Sequence, residues 1–217
     1  MFVEFYKDNI GSAESVELAK TKLIKRTLSE KLVGEQKLVD FDSSDMESKI
    51  KGSVLPSLFY TFMYKAEEDV ISGIRFSDAI PVVLCFKRST KWLEGLNFNL
   101  LPNEVRAAIL DIIDKSTDNY YSEKGKNLAI NGNIAVNEIL AGVLADDNQR
   151  MALLNLLEKR MGVSIKSAYR RYNLSHIENL RLIEYGDYKY IPLLCFESSV
   201  RGAGISEIQK KVISGDK

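Results

Sequence analysis

The sequence predicts an α+β fold: a small antiparallel β-sheet, or a partly open barrel, with surrounding helices and a helical insertion. Two observations carry this prediction. Three short apolar runs follow one another between Leu58 and Pro102, and they are rich in the aromatic and β-branched residues that favour strands. Strand character returns only near the end of the chain, and helical patterns fill the middle. This order is typical of an α+β domain.

Composition is that of one globular domain, or of one domain carrying an insertion: 217 residues, 45% hydrophobic and 28% charged. The charges of the 30 basic and 30 acidic residues cancel, so the sequence does not indicate a basic stripe for nucleic acid. A local basic patch is the alternative that the charge balance leaves.

Cys85 and Cys195 lie in apolar runs and are predicted to be buried thiols. The single histidine, His176, excludes a multi-histidine zinc site. No signal peptide or membrane span is predicted, so we expect a cytoplasmic protein.

Residues 1–57 are predicted to form an N-terminal arm and a helix. The apolar start, Met1–Tyr6, is the arm. Ser12 is a suitable cap for a helix that runs to about Val33. The basic residues from Lys20 to Arg26 lie on one face of it, either as a solvated surface or as a contact for a partner or nucleic acid.

A β-rich core is predicted from residues 58–115 and 178–217. Its strands are expected at Leu58–Tyr64, Ile80–Phe86, Trp92–Leu100, Leu180–Tyr185 and Tyr188–Phe196, the last two as a hairpin. Residues 67–78 are predicted to be a loop, residues 105–113 a helix, and residues 200–204 a tight loop. A helix or arm from Ile205 to Ile213 is expected to end the core.

Residues 116–177 are predicted to be a helical insertion. The polar, glycine-punctuated stretch Ser116–Asn133 indicates an insertion boundary or a mobile loop. Helices are expected at Ile134–Leu144, Gln149–Met161 and Ser164–Tyr172, and Gly162 is the expected end of the second.

No catalytic, nucleotide-binding or metal-binding motif occurs, so no catalytic residue and no cofactor is predicted. Glu94 is interpreted as a solvent-facing residue of an edge strand. The candidate partner interface comprises Tyr169, Arg170, Arg171, Tyr172 and Arg201. Arginine and tyrosine are enriched at protein interfaces and also stack on bases, and the neutral charge balance favours a protein partner.

Gly95, Asn97 and Pro102 form a structural motif. A glycine inside a strand indicates a bulge or a close backbone approach, and Asn97 is expected to hold a neighbouring turn with its amide. The segment Leu93–Pro102 with Arg106 after it follows the runs Phe62–Ala66 and Ile80–Leu84. With Ala168–Tyr172 and Tyr185–Ile191, these stretches resemble a module of tailed-bacteriophage virion proteins over about half the chain.

The resemblance implies a non-enzymatic structural subunit of the neck, tail ring or baseplate. Such a subunit is made in the host cytoplasm, resides in the virion, and assembles with other virion structural proteins as a homo-oligomeric ring, without a membrane contact. The N-terminal arm and the tail from Arg201 to Lys217 are then candidates for reaching a neighbour by strand addition. The alternative is a nucleic-acid-binding virion protein, such as a DNA end protector, in contact with DNA through residues 20–26 and 169–172. A metal-dependent hydrolase built on scattered acids is a third alternative.

Overall fold

The structure, a computed structural model, describes residues 2–25, 54–65, 69–71, 74–124, 128–194, 200–202 and 210. Over these residues the fold is α+β, with a five-stranded antiparallel open sheet and helices packed on it, which confirms the predicted fold class. The strands are β1 (Phe59–Tyr64), β2 (Asp69–Ile71), β3 (Ile74–Asp78), β4 (Val82–Arg88), β5 (Trp92–Asn97), β6 (Tyr169–Asn173), β7 (Ile177–Leu182) and β8 (Val200–Gly202). The main sheet has the order β6-β5-β4-β1-β7, and β2-β3-β8 form a second sheet.

The described α-helices are α1 (Phe2–Asn9), α2 (Ala13–Lys20), α3 (Asn103–Lys124), α4 (Leu128–Ala145) and α5 (Asp147–Met161). A π-helical turn, Thr21–Lys25, continues α2, and short 3-10 segments include Phe98–Leu100, Ile165–Ala168 and Tyr185–Leu193. Ser12 caps α2 as predicted, since its hydroxyl accepts the Ser15 N–H at 3.2 Å. Gly162 ends α5 in the left-handed conformation, at φ 67°.

The two edge strands of the main sheet, β6 and β7, are consecutive in the chain. Only the 3-10 turn Leu174–His176 separates them, so the sheet curls until its edges approach each other. The Asn173 N–H donates to the Tyr64 hydroxyl at 3.3 Å, and the Tyr172 and Tyr64 rings meet edge to face at 5.1 Å. The open sheet therefore has the curvature of a partly open barrel.

One apolar core joins the main sheet and the α-helices. The strand face that carries Leu84, Phe86 and Leu96 is covered by α3, α4 and α5. On the concave side, Phe62 packs against the Tyr172 ring at 5.1 Å. The helices from the middle of the chain thus cover one face of a sheet whose strands come from the segments before and after them.

The predicted N-terminal arm is wrong for the described residues, because residues 2–9 form helix α1. Phe2 and Tyr6 are buried, and Asp111 of α3 caps the helix by accepting the Phe2 N–H at 2.9 Å. This bond satisfies a backbone donor that helix geometry leaves unpaired. The predicted helix to Val33 is described as far as residue 25, and residues 26–33 lie outside the described part.

Three further segment predictions are wrong. Residues 67–78 are not a loop throughout, since they contain the hairpin β2–β3. The mobile-loop alternative for Ser116–Asn133 is wrong over its described residues, because α3 continues to Lys124 and α4 begins at Leu128. The predicted strand Tyr188–Phe196 is instead 3-10 helix as far as Leu193.

The predicted helix Ser164–Tyr172 is a 3-10 turn followed by strand β6. Near the C-terminus, Val200–Gly202 form strand β8, which pairs with β3, where a tight loop was predicted. Cys195, the predicted helix or arm from Ile205 apart from Lys210, and the rest of the tail lie outside the described residues.

Candidate partner-binding surface

Strand alternation divides the predicted interface cluster between two faces of the sheet. Tyr169 and Arg171 pair with Leu96 and Glu94 of β5, and they point to the helix-covered side. Arg170 and Tyr172 point to the opposite side. Because neighbouring residues of a strand point to opposite faces, the cluster is not one surface.

Arg171, Glu94 and Trp92 form a partly exposed cluster, which we call the Trp92 rim. The Arg171 Nε lies 3.0 Å from the Glu94 carboxylate, and its guanidinium lies 5.7 Å from the centre of the Trp92 ring. Arg171 is largely exposed and Trp92 is half-buried. The rim combines an aromatic ring with a charge whose counter-ion lies within the same molecule, a composition common at protein interfaces.

Glu94 is not the solvent-facing edge residue that the sequence indicated. Strand β5 is internal, between β4 and β6, and the side chain of Glu94 is only 14% exposed. It accepts a hydrogen bond from the Tyr169 hydroxyl, while the Tyr169 ring stacks on Phe86 at 6.0 Å. Burial, followed by the Glu94 carboxylate, raises the pKa of Tyr169 to about 12. Glu94 therefore fixes the side chains of Tyr169 and Arg171 on this face.

Tyr172 is buried, so it offers no ring to a partner or to a base. Arg170 holds its own strand, because its Nη1 donates to the carbonyls of Ser167 at 2.9 Å and Tyr169 at 2.6 Å. Of the described cluster, Arg171 is exposed, and Tyr169 and Arg170 are partly exposed. Arg201 lies in β8 opposite Ser77, and its side chain is outside what the structure describes.

The outer edge of β6 is occupied by its own neighbours. The Tyr169 N–H donates to the Lys166 carbonyl, the Tyr169 carbonyl accepts from Arg170, and the Asn173 N–H donates to Tyr64. Arg171 lies between these bonded residues, and the alternation of a strand directs its backbone N–H and carbonyl to the same outer edge. An edge covered in this way resists pairing with another strand, so contact at this side depends on side chains.

Gly95 has the close backbone approach that its position in a strand predicted. A Cβ at this residue would lie 2.2 Å from the Leu84 carbonyl oxygen, well inside van der Waals contact. A register shift between Cys85 and Lys87 of β4 accompanies the approach. Cys85 opposite it is buried with a free thiol, and burial raises the pKa of that thiol to about 12.

Asn97 holds the following turn as predicted: its side-chain oxygen accepts the Asn99 N–H at 2.9 Å. Its amide nitrogen also donates to Asp78, and Asn99 donates to the same carboxylate oxygen at 2.8 Å. Burial raises the pKa of Asp78, against the lowering effect of these two amides. Sequence reasoning missed Asp78, because it placed the residue at the end of a predicted loop.

Pro102 and Arg106 connect the motif to α3. The Pro102 carbonyl accepts the Arg106 N–H at 3.0 Å and so begins the helix. The Arg106 side chain is buried and donates to the carbonyls of Leu101, Ile191 and Leu194 at 2.8 to 3.4 Å. The fork of the guanidinium thus ties the helix start to the late 3-10 segment.

Only some of the basic residues near α2 lie in the part of the chain that the structure describes. Lys20 and Lys22 are half-buried, and the Lys22 carbonyl accepts from Arg181 of β7 at 3.1 Å. The side chain of Lys25 and all of Arg26 lie outside the described part. No contact in the structure brings Lys20 or Lys22 to the Trp92 rim.

Within the described ranges, no three histidine, cysteine, aspartate or glutamate side chains come together in a group that could hold a metal ion. Among the same residues, no helix has the length and apolar character needed to cross a membrane. No protein-family model, no curated protein and no solved structure matches the chain.

Proposed function

We propose that this chain is a non-enzymatic structural subunit of a tailed-phage virion, in the neck, tail ring or baseplate, and that it assembles with neighbouring subunits. One observation carries the proposal. Gly95, Asn97, Pro102 and Arg106, which bear the likeness to such virion proteins, all serve internal architecture. Residues that maintain the fold, and do not form a catalytic site, are consistent with a structural subunit whose function depends on its shape and its contacts.

The Trp92 rim supports a protein partner in this proposal. Trp92 supplies half-exposed apolar area, and Arg171 supplies directional donors. Because Glu94 already balances the charge of Arg171, the rim offers phosphates little net attraction. The covered edge of β6 and the folded helix α1 argue for side-chain docking in place of strand addition by the N-terminal arm.

Native mass spectrometry and electron microscopy test the proposal on the full chain and on purified particles. We expect an oligomer for the isolated protein, or its presence in particles by antibody labelling. The double variant Trp92→Ala with Arg171→Ala should reduce assembly, and Lys91→Ala, an exposed neighbour in the same turn, serves as the matched control. A strict monomer that is absent from particles would refute the proposal.

A DNA-binding role is the alternative, and it has a separate assay. Duplex ends are titrated at low salt and then at rising salt, because phosphate contacts weaken steeply as salt increases. Salt-dependent binding that the double variant abolishes would assign the Trp92 rim to DNA and overturn the protein-partner proposal. Absence of binding at low salt would eliminate the alternative.

A further inference from the structure

An apolar chamber of about 60 Å³ lies between the main sheet and the helical layer. Leu84, Phe86 and Leu96 form its sheet side, and aliphatic residues of α3, α4 and α5 form most of the remainder. Ser116 is the one polar residue among the described residues that line it, and its hydroxyl is bound to the Ile112 carbonyl at 2.9 Å. Such walls give water few hydrogen-bond partners, so the chamber favours alkyl groups over water.

A groove of about 400 Å³ adjoins the chamber on the outer side of α3. Ile112 and Ser116 line both spaces and therefore stand at the boundary between them. Val3, Ala108 and Met161 add apolar lining to the groove. A chain that passes Ile112 would thus remain in contact with apolar atoms on both sides of the boundary.

The groove also carries two cations and one acid: Lys115, Arg160 and Asp111. Asp111 is already satisfied, because it accepts the Phe2 N–H at 2.9 Å and pairs with Lys115 at 3.1 Å. The side chain of Lys115 is 71% exposed, and Arg160 is exposed at the end of α5. The surplus positive charge at the groove favours an anionic head group.

We infer that the chamber and the groove together bind a linear alkyl carboxylate, with its alkyl end in the chamber and its carboxylate at Lys115 and Arg160. The volumes decide the shape of the ligand. An engineered cavity that holds benzene measures about 150 Å³, so a chamber of about 60 Å³ is too small for a ring. The end of a linear chain fits, provided that the remaining methylenes lie in the groove. This site is independent of the proposed virion role.

The test is an octanoate titration of the full chain, followed by NMR of labelled isoleucine and leucine methyl groups. Saturable shifts are expected at the methyls of Ile112 and of Leu154, which lines the chamber. Benzoate should bind more weakly, because its ring does not enter. The double variant Lys115→Gln with Arg160→Gln should weaken octanoate by roughly tenfold and leave octanol unchanged, since the loss is one of charge-assisted contact.

Two further variants make the result decisive. Lys159→Gln removes an exposed charge from the same helix end outside the groove lining, and it should leave octanoate affinity unchanged. Leu140→Phe places a larger side chain in the chamber wall and should abolish the methyl shifts. If Leu140→Phe does not fold, the octanoate affinities of the charge variants and the positions of the shifted methyl groups still test the inference. Absence of saturation, shifts confined to the groove, or equal affinity for benzoate would each overturn the inference.

Discussion

The amide nitrogen of Asn97 lies 2.9 Å from a carboxylate oxygen of Asp78, and both side chains are buried. Asp78 ends β3 and Asn97 ends β5, so this bond connects the hairpin β2–β3 to the main sheet. The other carboxylate oxygen of Asp78 accepts the Ile80 N–H at 3.2 Å. A carboxylate removed from water requires such donors, because its desolvation is costly. Asn97 therefore supplies a donor to a buried carboxyl oxygen and also holds a turn.

Replacing Asn97 by alanine should lower the free energy of unfolding by about 3 kcal/mol. The change removes a hydrogen bond to a buried acceptor, which costs about 1–3 kcal/mol, and also the bond that caps the following turn. Urea unfolding of both proteins measures the loss. Gel filtration before unfolding verifies that the variant retains its compact state.

Asn173→Ala is the matched control for this substitution. Asn173 caps a 3-10 turn in the same way, by accepting the Ser175 N–H at 3.1 Å, but it is not hydrogen-bonded to a buried carboxylate. Its replacement should cost about 1 kcal/mol, the usual effect of losing a cap. Equal losses of unfolding free energy in the two variants would show that the hydrogen bond from Asn97 to Asp78 does not stabilise the fold.

Gly95→Ala should destabilise the protein by about 3 kcal/mol or prevent folding. The new methyl group would lie 2.2 Å from the Leu84 carbonyl oxygen, and the neighbouring strand must move to accept it. Gly142→Ala in α4 is the control, since no atom outside the adjoining backbone of its own helix lies within 4 Å of its added methyl group. That helical position should gain about 1 kcal/mol. Urea midpoints that move in the same direction for both variants would contradict the close approach.

The two structural roles assigned to Gly95 and Asn97 were predictable from the sequence because each depends on local chemistry. A strand glycine and an asparagine before a turn have few alternative uses. The partner of Asn97 was not predictable, because Asp78 lies 19 residues away and no local pattern marks it. Long-range polar pairs of this kind leave no periodic signal in a single sequence.

Strand β6 was missed for a different reason. Its sequence, Tyr169–Asn173, consists of aromatic, basic and polar residues, and two arginines side by side gave no apolar alternation. In the structure both arginines are held by acceptors, Arg170 by carbonyls and Arg171 by Glu94, so the strand tolerates them. The polar half of α3 was likewise taken for a loop, although polar residues are compatible with a helix that tertiary packing supports.

Arg106→Lys should lower the free energy of unfolding by about 2–4 kcal/mol. An ammonium group has no planar fork, so it cannot reach the carbonyls of Leu101, Ile191 and Leu194 together, and buried acceptors lose their donors. Hydrogen exchange should rise first in the 3-10 segment Tyr185–Leu193. Arg160→Lys, at an exposed position, is the control and should change stability little. Unchanged exchange in that segment would show that Arg106 does not hold it.

The stability of the protein should fall as the pH decreases from about 4 to 2, with Asp111 as one source. Burial raises the pKa of Asp111, but bonds from the amino-terminal end of the chain, from Lys115 and from the Val3 N–H lower it to about 2 overall. The unfolded chain binds this proton at a higher pH than the folded one does. Its contribution is therefore complete above about pH 4 and is lost as the pH falls through the folded value.

The variant Asp111→Asn isolates this contribution, because the other acids, including Asp78 with its raised pKa, titrate alike in both proteins. The difference in unfolding free energy between wild type and variant should be largest above pH 4 and should shrink towards pH 2. Helix α1 depends on Asp111 for its cap, so its amide exchange should increase over the same pH range. A difference that stays constant with pH would show that the Asp111 carboxylate is not preferentially ionised in the folded state. Its contact with α1 would then stabilise the helix by hydrogen bonding alone.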